Sequence, residues 1–136
     1  MPIMRIAENS KLIYPELSYK LNGIFFEVHN RLGRYSTEKQ YADAVEELLK
    51  ENKIVYEREK EIEISFGNKK IGGNRIDFTV ENKILVDIKA KRYITKEDYL
   101  QMQRYSKAIN FKLGLIVNLR GKSVFIRRII NSHYSR

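Results

Sequence analysis

The sequence predicts an α/β domain with helices flanking a sheet, in the order helix, helix, strand, strand, strand, helix, strand, strand. Three observations predict it. Three stretches repeat apolar residues at helical spacing, and the stretches between them alternate or run short and β-branched. The third observation is the segment 75–90, Arg75-Ile-Asp-Phe-Thr-Val-Glu-Asn-Lys-Ile-Leu-Val-Asp-Ile-Lys-Ala90, which reads as two strands about the polar turn Glu81-Asn82-Lys83.

Taken in order, residues 1–16 lack periodicity and are expected to form an N-terminal arm, followed by one domain over 17–131 and a frayed tail over 132–136. Leu17, Leu21, Ile24, Phe25, Val28 and Leu32 place a first amphipathic helix between Pro15 and Leu32, with Gly33 as its stop. Glu27 and His29 lie on it and are read first as surface residues. Thr37-Glu-Lys-Gln40 has the form of a capping box for a second helix, whose apolar stripe is Tyr41, Ala44, Val45, Leu48 and Leu49. Glu38 stands at its first position, where the helix dipole favours a carboxylate and from where it borders the buried stripe. From Ile54 to Phe66 the chain alternates, with Glu57, Glu59, Glu61 and Glu63 on one side, as suits an edge strand. A turn at 67–70 and a second loop at Gly72-Gly73-Asn74 are expected to lead into the Asp77 strand. Thr95, with Asp98 three residues on, starts a helix to about Ile109; Leu113–Leu119 and Val124–Ile130 read as the last two strands.

Composition bounds the function. The 136 residues are 43% hydrophobic and 32% charged, which describes a globular chain of single-domain length. No run of apolar residues is long enough for a membrane span or a secretory core, and a cytoplasmic location is expected. The absence of cysteine excludes disulfides and thiolate zinc sites, and two histidines, His29 and His133, are too few for a histidine zinc site without several carboxylates. Lys and Arg exceed Asp and Glu by 26 to 17, a net charge of +9 that favours a polyanionic partner.

The chemistry concentrates in 75–90. Even positions there are apolar (Ile76, Phe78, Val80, Ile84, Val86, Ile88), and the register that keeps them together pairs odd with odd, bringing Asp77 near Asp87 and Lys89. Aspartate is depleted in strands, so two of them beside a lysine call for an explanation. Two Asp oxygens, the Ile88 carbonyl and waters suit the octahedral shell of Mg²⁺, and Lys89 on the same face could hold a water or a phosphate. The other reading is a structural ion pair between these aspartates and Lys89 or Arg75 on a solvated face.

The pattern Asp77-(nine residues)-Asp87-Ile-Lys89 resembles the PD-(D/E)xK nucleases, whose αβββαβ core matches most of the element order. Gln101-Met-Gln-Arg-Tyr105 resembles the Q-x-x-x-Y element of their RecB-like members. Leu17 to Gly33, Glu38-Lys-Gln-Tyr41 and Tyr56-Glu-Arg-Glu59 together look like the small bacterial and archaeal GxxExxY proteins, over about residues 17–130. Three departures stand out. Tyr35 replaces the first glycine of GxxExxY, Asp87 stands where that family commonly has glutamate, and Ile76 replaces the proline of the "PD".

The resemblance implies a restriction-endonuclease-like fold with a mixed central sheet, and Mg²⁺- or Mn²⁺-dependent hydrolysis of DNA, more than RNA, without strong sequence specificity. It implies Asp77, Asp87, the Ile88 carbonyl and Glu38 (less so Glu27) as metal ligands, and Lys89 as the group that positions the water. It implies Gln101 and Tyr105 as phosphate-placing groups, with Lys91, Arg92, Arg127 and Arg128 as backbone contacts. It leaves a homodimer open. The alternative is a nuclease-fold module of weak or lost activity that holds nucleic acid or a partner protein.

Overall fold

The structure, a computed structural model, describes residues 13–136; the first twelve positions of the expected arm lie outside the described residues. Helix α1 (Pro15–Leu32) starts with proline in its first turn, where no N–H is needed, and buries Leu21, Ile24, Phe25 and Val28. It stops at Gly33, which takes φ +76° and donates its N–H to His29 O at 2.8 Å. Helix α2 (Glu38–Glu51) has the complete capping box of Thr37 and Gln40, and helix α3 (Lys96–Ile109) that of Thr95 and Asp98.

Five strands follow the chain in space: β1 (Tyr56–Phe66), β2 (Lys69–Val80), β3 (Ile84–Lys89), β4 (Leu113–Asn118) and β5 (Phe125–Ile130). Only β3 and β4 are parallel, joined by a crossover that carries α3; the other neighbours are antiparallel. One core cluster joins α1 and α2 to the sheet through Phe78, Val80, Ile84, Val86, Ile88, Leu115 and Val117. A second lies under α3 around Leu85, Met102, Tyr105, Ile116 and Ile129. Gly114 belongs to that contact: a Cβ there would stand 2.5 Å from Met102 Sδ, so the glycine sets how closely α3 lies on β4.

Two expectations are corrected. Gly72-Gly73-Asn74 is not a loop but part of β2, in one long hairpin with β1 that pairs Ile62 with Asn74 and Phe66 with Lys69. The glycines serve the strand pair rather than a turn: Glu61 Oε1 occupies the space a Gly72 Cβ would need, 2.5 Å away, and accepts the Gly73 N–H at 3.2 Å. The second correction concerns the even-numbered apolar set. Phe78 and Val80 join the α1/α2 cluster, but Ile76 joins Ile62 under α3. The face changes between the pairs Arg58–Phe78 and Lys60–Ile76, which share one register while the pairing between them is interrupted and Glu59 takes φ +54°. Asp77 sits at that interruption.

Candidate active site

Strands β2 and β3 pair from Val80–Ile84 to Phe78–Val86, odd with odd as the sequence requires. Beyond that the Asp77 side chain takes over: its Oδ2 accepts the backbone N–H of Ile88 at 2.6 Å. In a strand, the N–H and C=O of one residue point the same way. The Ile88 carbonyl therefore faces the same gap as Asp77, while the Lys89 carbonyl, one residue on, faces β4 and accepts from Leu119 N at 3.0 Å. The Asp77 face switch and the splaying of β2 from β3 thus open a notch edged by a carboxylate and a carbonyl.

Asp87 projects into this notch and shares a hydrogen bond with Asp77. Burial, that bond and the Asp87 charge push the Asp77 pKa from 3.8 to about 7, with Glu38 adding to the effect. Lys89 Nζ lies 3.2 Å from Asp87 Oδ2 and 3.8 Å from Asp98 Oδ1. Burial works against its ammonium, yet the charges of Asp87, Asp98 and Glu38 outweigh that and hold its pKa above the ordinary lysine value. The pair is not sealed: the side chains of Lys89 and Asp87 keep 17% and 14% of their surface exposed.

Helix ends and loops complete the site. Glu38, in the first turn of α2, reaches β3's end, its Oε2 accepting from Ala90 N at 3.4 Å. Glu27 does not come there; it pairs with Arg31 on the exposed side of α1 at 3.1 Å. From α3, Tyr105 lies close enough to feel the charges of Asp87 and Lys89, and Gln101 bonds its hydroxyl; burial first, then Asp87, raises the Tyr105 pKa. Asp98, also on α3, bonds Lys91 Nζ at 2.6 Å; burial works to raise its pKa, but Lys91 and the Thr95 amide and hydroxyl bring it below the ordinary value. Asn118 Nδ2 donates to Lys91 O at 2.7 Å and its Oδ1 accepts from Lys91 N at 3.2 Å, fixing the chain as it leaves β3.

The structure therefore brings together Asp77, Asp87, Lys89, Glu38, Gln101, Tyr105 and Lys91. Arg92 and Arg127 border a neighbouring cleft. Arg128 does not join them: it lies on the opposite face of β5, where its guanidinium donates to Ser18 Oγ and Ile13 O, both at 2.9 Å, and holds α1 to the sheet. Asp98 and Asn118 are the residues that sequence reasoning passed over. Asp98 was legible as a cap alone, and Asn118 only as a strand end, since their meeting with Lys91 is tertiary. A rim of Arg34, Tyr35 and Arg120 is likewise tertiary: Tyr35, 73% exposed, carries the Arg120 guanidinium 4.6 Å and that of Arg34 5.2 Å from its ring centre.

The donors suit a hard divalent cation. Asp77, its pKa raised by burial and by the Asp87 carboxylate bonded to it, makes a place where added positive charge is favourable. Among the described residues no group of three or more His, Cys, Asp or Glu side chains is arranged to hold a metal by itself. The oxygens that could serve such a cation are those of Asp77, Asp87 and the Ile88 carbonyl, with the Glu38 charge felt by both Asp77 and Lys89.

Comparison with known proteins agrees with this geometry. The family model described as "PD-(D/E)XK nuclease superfamily" matches residues 15–129. Among solved structures, the crystal structure of SSO0001 is similar at 26% identity and a TM-score of 0.53, covering 66% of this chain. This chain spans 48% of that protein's length. No curated protein matches.

Proposed function

The chain belongs to the PD-(D/E)XK nuclease superfamily, and from that premise we propose that it is a Mg²⁺- or Mn²⁺-dependent nuclease that cuts DNA without strong sequence specificity. The observation that carries this reading is the convergence of Asp77, Asp87 and Lys89 on one notch at the end of β3. Asp77 and Asp87, with the Ile88 carbonyl, would hold the cation. When bound, the cation lowers the pKa of a water and offsets charge on the phosphate.

The rest belongs to the chain's own groups. Lys89 is kept cationic by Asp87 and Asp98, so it donates protons and cannot serve as a neutral base at pH 7. Its role is to orient the attacking water and balance the negative charge that grows on the phosphoryl oxygens. Gln101 and Tyr105 line the α3 side of the notch, where an uncharged amide and a phenol that stays protonated donate to phosphate oxygens. Glu38 fixes Ala90, and Asn118 and Asp98 fix Lys91, so the chain after β3 is held from both sides. The narrower resemblance to GxxExxY proteins, over Leu17 to Gly33, Glu38-Lys-Gln-Tyr41 and Tyr56-Glu-Arg-Glu59, includes Glu38 and Tyr41. Tyr41 is fully buried, its hydroxyl donating to Gly33 O at 2.6 Å and so tying the α1–α2 turn beside Glu38.

One observation favours a second reading. The Lys89–Asp87 contact of 3.2 Å places the ammonium where a cation competes for the same carboxylate. A nuclease-fold module that binds nucleic acid without cutting it would keep that pair closed. A cleavage assay on linear, nicked and single-stranded DNA with Mn²⁺ separates the two. The nuclease reading expects metal-dependent products that fall by about 100-fold or more in Lys89→Ala and in Asp87→Ala. Cleavage that survives both substitutions undiminished rejects the assigned roles, and tight DNA binding with no cleavage in any metal favours the module.

A further inference from the structure

Beside the notch lies a cleft of about 550 Å³ that the hydrolytic machinery does not use. Its cations are Arg92, Lys96 and Arg127, and none of its lining residues is acidic. Its flat groups are Tyr93, Tyr99 and Phe125. Tyr93 is 73% and Phe125 49% exposed, although burial of either ring against the domain would be favourable. The Arg127 guanidinium lies 5.2 Å from the centre of the Tyr99 ring, so one wall already presents a cation stacked on an aromatic.

The cleft is continuous with the notch. Asn118 lines it, stands opposite Lys89 in the β3–β4 register, and is bonded to the backbone of Lys91. Thr95, the cap of α3, lines it too, and the other partner of that cap, Asp98, contacts Lys89. A nucleotide next to a phosphate held at Lys89 therefore has this cleft within reach. Three aromatic rings with three cations and no carboxylate complement one chemistry: a flat, uncharged base on an anionic backbone. In duplex DNA the faces of the bases are covered by their neighbours, so only an unstacked base enters.

We infer that this cleft receives an unpaired nucleobase beside the phosphate to be cut, and that the substrate is single-stranded nucleic acid or the single-stranded part of a branched or frayed duplex. The inference rests on the nuclease reading for the position of that phosphate. The rings supply sequence-tolerant stacking, and Arg92, Lys96 and Arg127 supply the backbone charge.

The test measures binding in EDTA, where nothing is cut, by fluorescence anisotropy with a labelled 12-nucleotide single strand and its duplex. The full chain is compared with Tyr93→Ala and Phe125→Ala, two exposed positions whose truncation leaves the core intact. The expected result is tighter binding of the single strand than of the duplex. Each substitution should weaken single-strand binding by about tenfold, with little change for the duplex and an unchanged salt slope. A single abasic nucleotide scanned along the strand should reproduce the loss at one position. Equal affinity for single strand and duplex, or variants that bind the single strand as the parent does, would overturn the inference. The same oligonucleotides are then given Mn²⁺. Cleavage with no strand preference in binding sinks the cleft and keeps the nuclease; strand preference without cleavage does the reverse.

Discussion

Asp77 is the residue on which burial and charge act hardest. Its folded pKa of about 7 lies above the ordinary 3.8, so the folded chain keeps a proton there that the unfolded chain has released. The stability this contributes is complete below about pH 4 and is lost as pH rises through 7. Asp77→Asn keeps an oxygen for the Ile88 N–H and removes the charge. In EDTA at pH 8 it should be more stable than the parent by about 2 kcal/mol, and near pH 4 the two should agree, as urea melts at both pH values will show. Equal midpoints at pH 8 would mean that the two aspartates do not burden the fold. Part of this was legible in the sequence, because parity puts residues 87 and 89 on one side of β3, whereas Asp77 meets them at the point where β2 turns over. Parity also separates the adjacent Arg127 and Arg128, one over Tyr99 and the other bonded to Ser18. Reading them as one basic pair overlooked the period of two.

At the scale of elements, both capping boxes and the ends of α1 and α3 were readable because local side chains decide them. The break in β1 and β2 was not. Glycines at 72 and 73 have turn chemistry, but hairpin pairing and the Glu61 side chain keep them in a strand. The face switch at Asp77 leaves no mark on the alternation, which continues unbroken through Ile76 and Phe78 while the strand turns over between them. Helix α3 couples its own start to the notch through Asp98, which caps Thr95 and holds Lys89 and Lys91. Asp98→Ala should lose about 1 kcal/mol from the cap and slow Mn²⁺-dependent cleavage as Lys89 loosens. Asp98→Asn keeps an acceptor for the Thr95 N–H and loses the charge. It should restore most of the stability but not the rate, a split that a purely structural cap would not produce. Thermal melts beside initial rates measure both.

At the scale of the whole molecule, the glutamates of β1 and the cations of the cleft stand apart. The acidic row of β1 lies on one edge strand, far along the sheet from β5, and the cations of the cleft lie at the other edge beside α3. The net +9 favours a polyanionic partner. Binding of single-stranded DNA in EDTA should weaken at least about tenfold between roughly 50 and 200 mM salt, and Lys96→Ala should lower the slope by about one phosphate contact. A flat salt response would detach the charge from function. No helix among the described residues is long and apolar enough to cross a membrane. The order of elements was legible from periodicity, whereas the cleft was not, because α3, β4 and β5 build it from residues distant in the chain. The central claim is that the paired carboxylates of β2 and β3 take a divalent cation, and calorimetric titration with Mn²⁺ at pH 8 tests it most directly. One cation should bind to the parent chain and none to Asp87→Ala; a chain that gives no heat of binding, or a variant that binds as the parent does, contradicts the account.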